Sequence, residues 1–97
     1  MARLHVLNPV AQTVQYKVDP APRLDDLRGK TIGLYWNMKA GGDEALQRAA
    51  EHLGAIYGDV KLKWYMPAQG FTMRHGSAEE FDQIARECDA VIGTTND

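Results

Sequence analysis

Thr31-Ile-Gly-Leu-Tyr-Trp36, followed at once by Asn37-Met-Lys-Ala-Gly-Gly-Asp43, decides the fold. The first six residues carry no charge and read as a buried strand. The glycine pair then lets the chain turn. Ala45, Leu46, Ala49, Ala50, Leu53 and Ile56 recur at helical spacing until Gly58 stops them, and Asp43 is placed to cap that helix. Downstream, Val60-Lys-Leu-Lys-Trp64 alternates as a second strand. Ser77-Ala-Glu-Glu80 is a capping box that opens a second helix, with Phe81, Ile84 and Ala85 on its inner face. Asp89 leads into a third strand, Ala90-Val-Ile-Gly93. Strand, helix, strand, helix, strand implies parallel pairing through right-handed crossovers. The expected architecture is α/β: a small three-layer, Rossmann-like or flavodoxin-like parallel sheet of order 2-1-3.

Upstream of this unit the pattern changes. Arg3 to Asn8 is a short apolar-rich run closed by Asn8-Pro9. Val14, Tyr16 and Val18 alternate with polar residues, which suits a half-exposed strand over 13–18. Asp19-Pro-Ala-Pro22 stops it, Leu24 to Leu27 makes at most one turn, and Arg28-Gly29-Lys30 connects. The division expected is an extended N-terminal arm over residues 1–29 and an α/β half-domain over 30–97 that a partner chain completes.

The chain has 97 residues, enough for one small domain. Eleven Lys and Arg against 13 Asp and Glu are spread without a basic stripe, so nothing points to nucleic acid. No apolar run approaches a membrane span, and the first residues do not form a signal peptide. The single cysteine, Cys88, excludes an internal disulfide framework and suits the reducing cytoplasm. It reads as a small buried hydrophobe at a helix end. His5 and His52 lack companions at ligand spacing, so no metal site is expected, and the residues name no cofactor.

With the order 2-1-3, the crevice of the sheet lies between the loop after the first strand and the loop after the third. The first of these is 37–43. Gly41 and Gly42 before a helix let backbone amides approach an anion, Lys39 adds a charge, and Asn37 adds an oriented amide. The same residues also fit a flexible turn with an exposed lysine. The second segment, Thr94-Thr95-Asn96-Asp97, brings hydroxyls, an amide and a carboxylate to the same edge, where turn residues also occur for conformational reasons. The third strand reaches this edge as the given residues end, which leads to the expectation that the rest of the site lies on another polypeptide. Arg74 and His75, in a glycine-bounded loop, fit either a flap over substrate or a solvated surface. Trp36, Trp64, Tyr65 and Phe71 exceed what so small a core needs, and some are expected at an interface.

Lys30-Thr-Ile-Gly-Leu-Tyr-Trp-Asn-Met-Lys39 and Glu87-Cys-Asp-Ala-Val-Ile-Gly-Thr-Thr-Asn-Asp97 together resemble the N-terminal half of UGSC-family proteins. That family is named for a selenocysteine- or cysteine-Gly-Ser-Cys motif. Leu7-Asn-Pro9 is similar to its early "LDP" segment, Asn37 and Lys39 to its Asn-x-Lys, and Cys88-Asp-Ala-Val-Ile92 to the strand that precedes the motif. Asn96-Asp97 stands where the family has Gly-Asp, and the motif itself is not among these residues. The resemblance implies a thiol or selenol at the crevice, acting as nucleophile or redox group. Cys88 cannot serve, because it lies before the third strand, at the opposite end of the sheet. The function implied is that of a small subunit of a heteromeric thiol-dependent enzyme, of lyase, hydratase or reductase type. It would hold a small-molecule substrate with Asn37, Lys39, Gly41, Gly42 and Thr94 to Asp97, beside a catalytic cysteine in a Cys-Gly-Ser-Cys-like segment of a second subunit. The alternative is a non-catalytic scaffold or binding subunit that stabilises its partner.

Overall fold

The computed structural model describes residues 2–68 and 76–94. Strand β1 (Thr31–Trp36) leads into helix α1 (Gly42–Tyr57), strand β2 (Lys61–Tyr65), helix α2 (Ala78–Glu87) and strand β3 (Ala90–Thr94). The sheet has the order β2-β1-β3, and both pairings are parallel. Leu34 lies opposite Trp64 on one side and Ile92 on the other. Each crossover carries a helix, one per face, so the three layers expected from the sequence are present.

Strand β1, uncharged and the most buried of the three, is flanked on both edges. Its Ile32 and Leu34 are buried on the α1 face. Leu34, Leu46 and Ala50 form the core there, with Trp36, Leu62 and Ile92 packed against them. The opposite face is shaped by Gly33. A Cβ at Gly33 would fall 3.0 Å from Cys88 Sγ and 3.3 Å from the Tyr65 ring, so the missing side chain makes the hollow in which both sit. Beyond it, the Tyr35 and Phe81 rings meet at 5.6 Å. Asp89 ties the start of β3 to the start of β1: its carboxylate accepts from the Thr31 N–H at 2.9 Å, and its own N–H donates to the Thr31 carbonyl at 2.8 Å.

Helix α2 opens as the sequence indicates. Ser77 Oγ accepts from the Glu80 N–H and Glu80 Oε2 accepts from the Ser77 N–H, both at 3.2 Å. Helix α1 does not. Its N-cap is Gly41 at φ 88°, with no side-chain cap, and Asp43 lies inside the first turn. Glycine can adopt the left-handed conformation, so the chain turns before Asp43 is reached, and its carboxylate complements the helix dipole instead of capping it. Gly58, at φ 60°, ends the helix as expected. Of the apolar stripe, Leu46 and Ala50 are buried, whereas Ala45 and Ile56 are exposed. A three-stranded sheet is too narrow to cover the whole stripe.

Residues 2–30 form neither helix nor strand, and those from 2 to 26 are all exposed. The strand expected over 13–18 is therefore not formed. No neighbouring strand lies beside it to share its backbone hydrogen bonds, and alternation alone does not supply them. The chain spans 74 × 30 × 25 Å, and its radius of gyration is 19.3 Å. A compact domain of this length would have about 12.5 Å. Among the described residues, no helix is long and apolar enough to cross a membrane.

Candidate functional site

The carboxyl edge of β1 carries the loop 37–41, and several bonds fold it tightly. Asn37 Oδ1 accepts from the Lys39 N–H at 3.2 Å. The Lys39 carbonyl accepts twice, from the Trp36 indole N–H at 2.7 Å and from the Gly42 N–H at 3.1 Å. Met38 is held at φ 70°, a left-handed conformation that costs a non-glycine residue of order 1–3 kcal/mol. The end of β3 joins this loop: Thr94 Oγ1 donates to the Gly42 carbonyl at 2.7 Å. Gly42 permits the approach, since a Cβ there would fall 3.0 Å from Trp36 Cδ1 and 3.2 Å from Thr94 Oγ1.

Of the residues singled out in the sequence, Asn37, Lys39, Gly41, Gly42 and Thr94 thus converge on one edge. Thr95, Asn96 and Asp97 lie outside the described residues, as do Arg74, His75 and Phe71. Gly41 and Gly42 do different work. Gly41 makes the left-handed turn with nothing among the described residues within 4 Å of a Cβ there, whereas Gly42 is the buried point of close approach. Trp36 is the residue the sequence reading missed here. Its indole N–H pins the loop, so it is not surplus aromatic surface. The available signal was its parity with Ile32 and Leu34, which turns it to the α1 face, where a buried N–H needs an acceptor.

The electrostatics are mixed. Lys39 is half-buried beside the N-terminus of α1, yet Asp43 and Glu44 occupy the first turn of that helix and already neutralise the positive end of its dipole. An anion at this edge would therefore owe its affinity to Lys39 more than to the helix. Among the described residues, no group of three or more His, Cys, Asp or Glu converges on a common point.

Two other groups of polar side chains lie on the α2 face. Tyr65 Oη donates to Glu87 Oε2 at 2.5 Å and lies 3.3 Å from Cys88 Sγ. Lys63 Nζ reaches the same carboxylate oxygen at 2.6 Å, and Gln83 reaches the other at 3.0 Å. These partners, Lys63 foremost, hold the Glu87 carboxyl down to about 2. Desolvation, then the neighbouring Cys88 and Glu87, pushes the Tyr65 phenol up. Cys88 caps the C-terminus of α2, half-buried, at the amino end of β3 and away from the loop. Near the other end, the Tyr35 hydroxyl is buried, and among the described residues no group makes a well-formed hydrogen bond to it. Burial first, then the Glu80 carboxylate, raises its pKa.

Fold and edge define an α/β protein of the parallel, Rossmann-like class, with its polar loop at the carboxyl end of the central strand. Within that class the family follows from comparison: the model of the UGSC family matches residues 5–97, and the chain belongs to that family. No curated protein matches the chain. No solved structure matches it either.

Proposed function

We propose that this chain is the small subunit of a heteromeric, thiol-dependent enzyme of the reducing cytoplasm. The loop 37–42 and Thr94 hold a small-molecule substrate, and a second subunit brings a catalytic cysteine to the same edge. The reaction is cleavage or addition at a carbon–heteroatom bond. The observation that carries this reading is the bonded convergence of Trp36, Lys39, Gly42 and Thr94 at the carboxyl edge of the central strand, where ligands of open α/β sheets bind. UGSC membership supports the thiol. Lys39 supplies positive charge that would favour a thiolate beside it, and a thiolate is the reactive form.

A second reading, a scaffold subunit without chemistry of its own, is favoured by a different observation. Asn37 Oδ1 and the Lys39 carbonyl are both engaged in the loop's own bonds, and Asp43 and Glu44 sit at the helix entry.

The test is the alkylation rate of the partner's cysteine in the assembled complex, followed against pH. Lys39→Ala should move that profile to higher pH and lower turnover at least tenfold. Lys61→Ala and Lys63→Ala, on the outer edge of β2, should do neither. Cys88→Ser should leave turnover intact. Equal behaviour of all three lysine variants would establish the scaffold reading.

A further inference from the structure

Among the described residues, most of the large apolar side chains left in solvent belong to the arm. Leu4, Val6, Leu7, Val10, Val14, Tyr16 and Val18 are each 68–92% exposed. A folded chain of 10.8 kDa exposes about 5,500 Å², whereas this one exposes 8276 Å². The excess, about 2,700 Å², is the size of a permanent interface.

The globular unit offers a matching vacancy. Strand β3 is an edge strand of sequence Ala-Val-Ile-Gly-Thr, with no charge and with Val91 half exposed. Beside it on the α2 face runs a groove of about 360 Å³ lined by Tyr35, Phe81, Ile84, Ala85, Val91 and Gly93. The other edge strand, β2, carries Lys61 and Lys63, the kind of residue that keeps an edge from pairing.

We infer that residues 13–18 of one copy add as a strand to the β3 edge of a second copy, with Val14, Tyr16 and Val18 turned into that groove. Four observations favour this occupant. The segment has the alternation of a strand and a length close to that of β3, but no partner of its own. Its root already runs beside β3, since Ala21 to Leu24 and Leu27 form a cleft with Asp89, Ala90 and Val91. Pro20 and Pro22 hold the stretch between extended, which carries 13–18 away from its own sheet. Reciprocal exchange seals both β3 edges in one closed two-fold dimer, without a leftover strand. This inference does not rest on the catalytic reading, because the thiol and substrate meet the end of the sheet and not its side.

The test uses the intact chain and two variants that spare its own fold. Gly93→Val fills the groove, yet among the described residues a Cβ at Gly93 would meet only the Tyr35 carbonyl, at 3.9 Å. Tyr16→Asp alters a residue that is 82% exposed. Light scattering at tens of micromolar should show a dimer for the natural chain and at least tenfold weaker association for both variants, with unchanged circular dichroism. Hydrogen exchange over 13–18 should be slow in the dimer and fast in Tyr16→Asp. A monomer with fast exchange over 13–18 would overturn the inference. So would a monomer with slow exchange there, which would mean the arm folds back on its own β3. A dimer indifferent to both substitutions, or association only with a different protein, would overturn it as well.

Discussion

Strands β2 and β3 flank the same central strand in the same parallel sense, yet one edge is finished and the other is open. On β2, Lys61 and Lys63 are exposed, and Lys63 and Tyr65 both bond Glu87 at the end of α2, so the strand is latched to the helix above it. On β3 there is no charge, Val91 stands half exposed, and an apolar groove separates the strand from α2. Both strands are equally short and equally paired to β1, so hydrogen bonding within the sheet does not explain the contrast. Side-chain chemistry explains it. Charge makes an edge terminal, and an uncharged edge beside apolar surface is a place for more protein.

The largest expected effect comes from exchanging these chemistries. Val91→Lys gives β3 the guard that β2 has. Self-association should then fall at least tenfold by light scattering, while the globular unit stays folded. The converse change, Lys61→Val with Lys63→Val, should make β2 a second open edge and cause concentration-dependent aggregation. If Val91→Lys associates as the natural chain does, the edges do not differ in the way argued.

The next effect distinguishes filled from empty space. Gly33, on the central strand, faces filled space, where a Cβ would press on Cys88 Sγ, Tyr65 and Val91. Gly93 faces the open side. Gly33→Ala should cost about 1–3 kcal/mol by overpacking, and the thermal midpoint should fall by about 4–8 °C per kcal/mol. Gly93→Ala should change it little. Equal losses at the two positions would mean that the open groove is packed in solution.

The sequence shows why one side was easier to anticipate than the other. The central strand, both helices, the capping box at Ser77 and the order 2-1-3 follow from local pattern, because burial and helical periodicity are written in neighbouring residues. What failed or was missed depends on space. Alternation over 13–18 indicates a strand, but a strand exists only beside another. Asp43 is a good capping residue, but Gly41 turns the chain first. The indole of Trp36 finds the Lys39 carbonyl only once the loop folds back. The Lys63–Glu87–Tyr65 group joins β2 to the far end of α2, and no spacing along the chain announces it. Asn37, Lys39, Gly41, Gly42 and Thr94 were legible as a group because the topology alone sends their two segments to one edge.

The smallest expected effect is a pH dependence that belongs to the latched edge alone. The Glu87 carboxyl is held at about 2, well below the ordinary 4.5, chiefly by Lys63, then by Tyr65 and Gln83. A carboxyl depressed in the folded state stabilises the fold above its unfolded value and loses that contribution as it is protonated. Glu87 should therefore contribute fully above about pH 4.5 and lose its contribution progressively toward pH 2. Its side chain is 31% exposed, so water and salt screen the pair and the effect is modest. Tyr65 works at the other limit. Its raised pKa favours the neutral phenol, a contribution present below pH 10 and lost as pH rises beyond it. Thermal midpoints measured from pH 6 down to pH 2 should fall less steeply below 4.5 in Glu87→Gln than in the natural chain. Lys63→Met, which removes the foremost cause, should flatten the same segment in part and leave the rest to Tyr65 and Gln83. Both variants must keep the β3 edge as it was, so self-association should not change in either. A steepness below pH 4.5 identical in all three proteins would show that Glu87 is not latched, and the finished edge would then owe its character to its lysines alone.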